Sequence, residues 1–283
     1  IFFPKSIAVV GASADETKFG TGYLRSLVRA GYKGKLYPVN SESAGGKAFG
    51  LDIYRSLRDI PGPVEFVIVA IPRHKVLDLL DDGAAKGIKA IQFFTAGFAE
   101  TGEPEWQAVE REMVRKAKAG NFHIVGPNCV GIYSSANLQP LGFMPEIGLV
   151  GPVAAIAQSG GHSERILEYT FTRGIGMSKL ASMGNGSDLD STDYLEYFAS
   201  DPQTGMVGAY LEGVKNGRRF FDLVKEINKT KPVVIWKGGK TDAGAQAANS
   251  HTGSLAASDA VWAAALRQVG ATKVDSMEEL GDT

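Results

Sequence analysis

The segment Ala247-Ala248-Asn249-Ser250-His251-Thr252-Gly253-Ser254-Leu255-Ala256 sets one imidazole among small and hydroxyl-bearing residues. The chain has four histidines, His74, His123, His162 and His251, and only His251 has such neighbours. Hydroxyls and backbone N–H groups are the donors that stabilise a transferred phosphoryl group. The chemistry to weigh is therefore phosphoryl acceptance at an imidazole nitrogen. An ordinary surface loop that carries a histidine accounts for the same composition. Two other stretches bear on the choice. Tyr210-Leu211-Glu212-Gly213 puts a carboxylate at the end of an apolar run, where it would orient an imidazole or take its proton, or form a structural ion pair. Ala157-Gln158-Ser159-Gly160-Gly161-His162 joins another apolar run to a helical pattern. Small residues at a helix start leave N–H groups open to an anion; a plain N-cap by Ser159 is the alternative. His162 is expected to face solvent, the second option being contact with the same anion.

The N-terminal half offers backbone more than side-chain chemistry. Gly11-Ala12-Ser13 follows a first strand and precedes a helix starting near Gly20, with Lys18 between them. Such a turn presents N–H groups to phosphate, although the full glycine spacing of a dinucleotide fingerprint is missing. Asn40 and Pro72 follow the second and third strands, and Thr95-Ala96-Gly97-Phe98 follows the fourth. Ligands of open parallel sheets sit beyond these strand ends, so a nucleotide-like ligand competes with ordinary loop chemistry. Asn40 and Ser41 stand where an NAD-binding domain places an acidic residue, which argues against a dehydrogenase. Cys129 has no basic neighbour and reads as packed, not nucleophilic. No spacing of His, Cys and carboxylates suggests a metal site.

The elements that must position these residues alternate. Short apolar runs at Ser6–Val10, Lys35–Val39, Val64–Ile71, Ala90–Phe94 and His123–Val125 are separated by helical patterns. One of these helices spans Glu105–Ala119, with Trp106, Val109, Met113 and Ala117 on one face. Residues 132–151, rich in Gly and Pro, read as a linker. A second alternating series then starts at Val153–Ala157. The expectation is an α/β protein of two doubly wound domains, 1–131 and 152–283. With 30 basic and 31 acidic residues and no like-charge run, no nucleic-acid partner is expected. Neither a membrane span nor a signal peptide is visible. One cysteine among 283 residues fits a reducing, cytoplasmic setting. Ile1 enters a strand almost at once and Ser276–Thr283 reads as a helix just beginning, so a longer parent chain is expected.

In this order, Gly11-Ala12-Ser13, Gly126-Pro127-Asn128-Cys129, Gln158-Ser159-Gly160, Tyr210-Leu211-Glu212-Gly213 and Ser250-His251-Thr252-Gly253-Ser254-Leu255-Ala256 resemble the NDP-forming acyl-CoA synthetases, relatives of the succinyl-CoA synthetase alpha subunit. The resemblance covers nearly the whole chain. It implies a Rossmann-like CoA-binding domain followed by a flavodoxin-like ligase domain. It implies an acid–thiol ligase that forms or cleaves an acyl-CoA from a carboxylic acid, CoA and ATP through phosphohistidine and an acyl phosphate. His251 would carry the phosphoryl group and Glu212 would hold its imidazole. Ser159, Gly160 and Gly161 would bind phosphate. Gly11, Ala12, Ser13, Lys18, Asn40, Pro72, Thr95 and Asn128 would contact CoA. ATP/ADP and Mg²⁺ would come with an ATP-grasp domain or beta subunit, and an oligomer is expected. Ala157 and His162 depart from the usual Ser and smaller residue, both near the phosphate site. The alternative is a catalytically reduced CoA-binding, regulatory region of a protein lysine acetyltransferase, which would not need His251. The small-residue stretch Ala243–Ala248 reads as an arm that lets His251 travel, with high mobility expected over residues 240–256.

Overall fold

The computed structural model of the chain describes residues 1–239 and 258–283. Its first sheet contains β1 (Ser6–Val10), β2 (Lys35–Val39), β5 (Phe66–Val69), β6 (Ala90–Phe93) and β7 (His123–Val125), ordered β2-β1-β5-β6-β7 and all parallel. The run expected at Val64–Ile71 keeps only Phe-Val-Ile-Val as strand, every residue buried, as a central strand covered on both faces requires. Helices α1 (Phe19–Ala30), α2 (Val76–Lys86) and α3 (Pro104–Ala119) pack on this sheet. Gly31 and Gly87 end α1 and α2 in the left-handed conformation that glycine adopts without steric cost. A two-residue ladder between β3 (Lys47–Ala48) and β4 (Leu51–Asp52), too short for a periodicity, lies outside the sheet.

The second sheet is ordered β13-β12-β11-β9-β10-β8. Its strands are β8 (Ile132–Ser134), β9 (Val150–Ala157), β10 (Met177–Ser182), β11 (Met206–Leu211), β12 (Val233–Lys237) and β13 (Thr272–Val274). All are parallel except β8, which runs antiparallel to β10. The stretch 132–151 is therefore not only a linker. Ile132–Ser134 is an edge strand of the second sheet, and β9 begins at Val150. A three-residue strand is defined by its partner and not by its own pattern, so sequence periodicity passes over it. Short β13 went unread for the same reason. Among the described residues, helices α4 (Gly160–Arg173), α5 (Ser191–Ser200), α6 (Gly217–Ile227), α7 (Asp259–Gln268) and α8 (Met277–Asp282) flank this sheet.

Counted among parallel strands only, both sheets have the order 2-1-3-4-5. Each has a topological switch point beside its first strand, where a doubly wound sheet opens a ligand crevice. The switch lies between β1 and β5 in one domain and between β9 and β11 in the other. One apolar cluster runs across the domain boundary, joining Phe2, Tyr23, Val125 and Cys129 to Met183, Tyr194 and Phe198. Among the described residues, no helix is long and apolar enough to cross a membrane.

Candidate active site

At the β9/β11 switch point, one side chain ties the two strand ends together. Gln158 follows β9, and its Oε1 accepts hydrogen bonds from the backbone N–H of Glu212 (2.9 Å) and of Gly213 (3.2 Å). The Gln158 N–H donates to the Tyr210 carbonyl at 3.1 Å. Glu212 is thereby fixed at the head of the crevice with 7% exposure, and the Tyr210 hydroxyl donates to its Oε1 at 3.3 Å. Burial, then the Glu212 charge, raise the Tyr210 pKa, so the phenol stays protonated and remains a donor.

His162 does not simply face solvent. Its ring stacks on Tyr210 at 4.0 Å and 14°, and meets Trp236 edge-on at 4.8 Å. Its Nδ1 is buried with no hydrogen-bond partner. Burial lowers its pKa, so the ring is held towards its neutral form. The expectation went astray because helical position alone does not reveal that β11 and β12 present two aromatic rings to the first turn of α4.

Ser159 caps α4, its hydroxyl accepting from the His162 N–H at 3.4 Å. The first-turn N–H groups of Gly160 and Gly161 have no carbonyl partner within a helix. Nothing lies within 4 Å of a Cβ placed on Gly161, so this helix start is open. Lys237 is a buried cation that sequence reading missed, 1% exposed at the end of β12 and paired in register with Leu211. Its ammonium donates to the Gly238 carbonyl and lies 5.6 Å from the Trp262 ring. Burial lowers its pKa, while the charges of Asp259 and Glu212 act to raise it. His251 and the arm Ala243–Ala248, with the mobility expected for 240–256, lie outside the described residues.

The first sheet brings its candidates into one row. In spatial order along the carboxyl edge stand Asn40, Gly11-Ala12-Ser13, Pro72, Thr95 and Asn128, after β2, β1, β5, β6 and β7. Hydrogen bonds link several neighbours: Gly11 N–H to the Val39 carbonyl (2.8 Å), Thr95 Oγ1 to the Ile71 carbonyl (2.7 Å) and Asn128 N–H to the Thr95 carbonyl (3.1 Å). Ala12 and Ser13 are buried, so their side chains are packed away from solvent at this turn. The Ser13 N–H donates to Thr21 Oγ1 at 3.0 Å, tying the turn to α1. Gly20 lets the helix press on the turn: a Cβ there would lie 2.4 Å from the Gly11 carbonyl carbon. Exposed Lys18 stands at the N-cap of α1, which no side chain caps and whose first turn carries no acid. Open N–H groups at a helix start beside a cation are the features that favour an anion.

Cys129 is 2% exposed and burial pushes its thiol pKa up, in keeping with a packed residue. Among the described residues, no group of three or more His, Cys, Asp or Glu is placed to hold a metal ion. Sequence reading also missed buried Glu110 on α3. It falls on the same face as Trp106, Met113 and Ala117, and a carboxylate in an apolar stripe is the signal that could have found it.

Comparison with known proteins assigns the two domains. Residues 5–135 match the family described as a CoA binding domain, and residues 150–283 the succinyl-CoA ligase like flavodoxin domain. The alpha subunit of acetate–CoA ligase [ADP-forming] I from Pyrococcus furiosus is 39% identical over 287 residues, 100% of this chain and 61% of the relative. The chain belongs to the ADP-forming acyl-CoA synthetase family. Another member, 4-hydroxybutyrate–CoA ligase [ADP-forming] of Nitrosopumilus maritimus, is 35% identical over 100% of this chain and 40% of its own length. Among solved structures, the dinucleotide forming acetyl-coenzyme A synthetase 1 of Ca. Korarchaeum cryptofilum, in complex with phosphate and ADP, superposes with a TM-score of 0.92. It is 39% identical, with 99% of this chain and 60% of that chain covered. The chain thus spans about 60% of that synthetase. These synthetase relatives are named as ligases, and the acetyltransferase-associated alternative finds no support among them.

Proposed function

We propose that this chain supplies the CoA-binding and phosphohistidine domains of an acid–thiol ligase, working with an ATP-grasp domain or subunit. The observation that carries the reading is Glu212, locked by Gln158 and Tyr210 at a switch point beside the open start of α4. In the synthetic direction, an imidazole nitrogen of His251 attacks the γ-phosphorus of ATP. A P–N bond forms, the β,γ P–O bond breaks and ADP leaves; Mg²⁺ accompanies the nucleotide on the partner. A carboxylate oxygen of the acid then attacks phosphorus, releasing the imidazole and giving an acyl phosphate. The CoA thiolate attacks the acyl carbon, the C–S bond forms, and inorganic phosphate departs with the C–O bonding pair. Splitting the reaction at histidine replaces one difficult displacement by easier ones.

Glu212 accepts the imidazole N–H and stabilises the positive charge that develops as the other nitrogen is phosphorylated. Gly160 and Gly161 direct N–H groups at the phosphoryl oxygens, with Ser159 closing the turn. Gly11, Ala12 and Ser13 offer backbone to CoA. Lys18, Asn40, Pro72, Thr95 and Asn128 line the rest of its path. The substrate is a carboxylic acid, and the enzyme is an oligomer acting in the cytoplasm.

The test uses the enzyme assembled with its ATP-grasp portion. With γ-labelled ATP and Mg²⁺, the expected result is acid-labile label on His251. Acid alone should discharge it to acyl phosphate, and His251→Ala should carry none. An active enzyme with no label on His251 would overturn the mechanism. A screen of carboxylic acids for CoA-dependent ATP consumption would identify the substrate.

A further inference from the structure

The turn after β10, Met183-Gly184-Asn185-Gly186, belongs to the ligase domain, yet its central side chain is spent on the CoA-binding domain. Asn185 is 6% exposed. Its Nδ2 donates to Glu100 Oε2 (2.6 Å) and to Glu110 Oε2 (2.9 Å). Its Oδ1 accepts from Asn128 Nδ2 at 3.4 Å, and its N–H donates to the Pro127 carbonyl at 3.0 Å. All four bonds cross the domain boundary.

Both carboxylates continue inward. Glu100 accepts from the N–H groups of Gly97 (2.6 Å) and Phe98 (3.1 Å), in the loop that starts at Thr95. Glu110 accepts from the Ala99 N–H at 2.9 Å and from the Ser187 hydroxyl. Asn185 therefore grips two strand-end loops of the first sheet, those carrying Thr95 and Asn128. On its own side the turn is anchored to the phosphoryl crevice, because the Met183 N–H donates to the Ala157 carbonyl (2.9 Å), one residue before Gln158. Gly184 permits the approach: its φ is +53°, and a Cβ there would lie 2.2 Å from the Pro127 carbonyl oxygen.

We propose that Asn185 is a positioning residue that sets the CoA-binding edge against the phosphoryl crevice, so that the thiol arrives at the acyl phosphate. The inference rests on the function proposed above. Thioester formation is the one step that needs both domains' ligands in register. Displacement of about 1 Å from an attack geometry costs as much as about 10²-fold in rate. Phosphorylation of His251 and formation of acyl phosphate need only the ligase domain and its ATP-grasp partner.

An asparagine amide suits the place because its two hydrogens serve two carboxylates at once. The charged groups facing it are Glu100, Glu110 and Arg111 from the first domain and Lys215, whose ammonium donates to the Gly186 carbonyl at 2.6 Å. An aspartate there would be a third acid beside two, and like charges raise carboxyl pKa values. Protonation on acidification would return one donor hydrogen to the gap.

The test compares wild type, Asn185→Ala and Asn185→Asp in the enzyme assembled with its ATP-grasp portion, with melting temperatures to confirm folding. Two half-reactions are read: labelling of His251 with its discharge by acid, trapped as hydroxamate, and CoA-dependent thioester formation. For Asn185→Ala, labelling and discharge should stay near wild type while kcat of the thioester step falls about 10- to 100-fold. KM for CoA should change little, since the contacts to CoA remain within one domain. Asn185→Asp should be as impaired at alkaline pH and recover part of the thioester rate on acidification, relative to wild type. Equal losses in both half-reactions, no loss in either, or an Asp variant without acid recovery would overturn the positioning role. A wild-type enzyme that labels His251 but makes no thioester would instead overturn the function, and the positioning role with it.

Discussion

The two sheets share one strand order and present different chemistry at the same edge. The first edge is backbone and neutral side chain: Gly11, Ala12, Ser13, Asn40, Pro72 and Thr95, with Lys18 standing exposed beside it. The second edge carries buried ionisable groups. Glu212 is 7% exposed and Lys237 1%, and His162 lies between two aromatic rings with an unpartnered nitrogen. Taking charge out of water is costly, and a fold tolerates that cost where the charge has a task. On the function proposed above, one edge would hold a ligand through N–H groups and the other would stabilise charge that changes during a reaction. The topology determines where a site lies, and the strand-end residues determine what it does.

Four substitutions would sharpen or break this contrast. Glu212→Gln should have the largest effect, slowing phosphorylation of His251 by about 10²-fold or more, with CoA affinity by calorimetry unchanged. An unaltered labelling rate would remove Glu212 from the chemistry. Gly20→Val should do the reverse. Its side chain would collide with the Gly11 carbonyl, and overpacking of about 1–3 kcal/mol should appear as about fivefold or more weaker CoA binding with normal labelling. Weakened labelling with intact CoA binding would invert the assignment of the edges. Tyr210→Phe removes only the hydroxyl that donates to Glu212. At about 1 kcal/mol for such a bond, phosphorylation should slow by about fivefold.

The smallest effect concerns acid stability. Burial depresses the His162 pKa below the ordinary value of about 6.5. The unfolded chain therefore takes up this proton first as the pH falls, and folded stability contributed at neutral pH is lost below about 6.5. His162→Phe keeps a ring against Tyr210 and removes the titration. Its melting temperature should drop less than that of wild type between pH 7 and pH 5. An equal drop in both proteins would show that His162 is not held neutral by its burial.

Much of this was legible from local pattern. Ser6–Val10, Lys35–Val39 and His123–Val125 were read to the residue, since short apolar runs set between helical patterns mark the strands of a parallel sheet. The strand-end candidates of the first domain were legible because a parallel sheet gathers the residues after its strands at one edge. The aromatic stack on His162 was not, because Tyr210 and Trp236 come from strands 48 and 74 residues later in the chain. The contact between Glu110 and Asn185 was passed over for a related reason. Each has an ordinary setting in sequence, and their significance comes only from facing one another across the domain boundary.

The sequence by itself determined the α/β class, the two series of elements, the ordered motifs and the family they point to, because these depend on residue type and short-range period. Tertiary structure alone decided the common strand order of the two sheets and the recruitment of Ile132–Ser134 to the second. It decided the lock of Gln158 on Glu212 and the grip of Asn185 on the strand-end loops of the first sheet. Hydrogen bonds and ring contacts between residues tens of positions apart leave no local periodicity, so only the folded chain displays them.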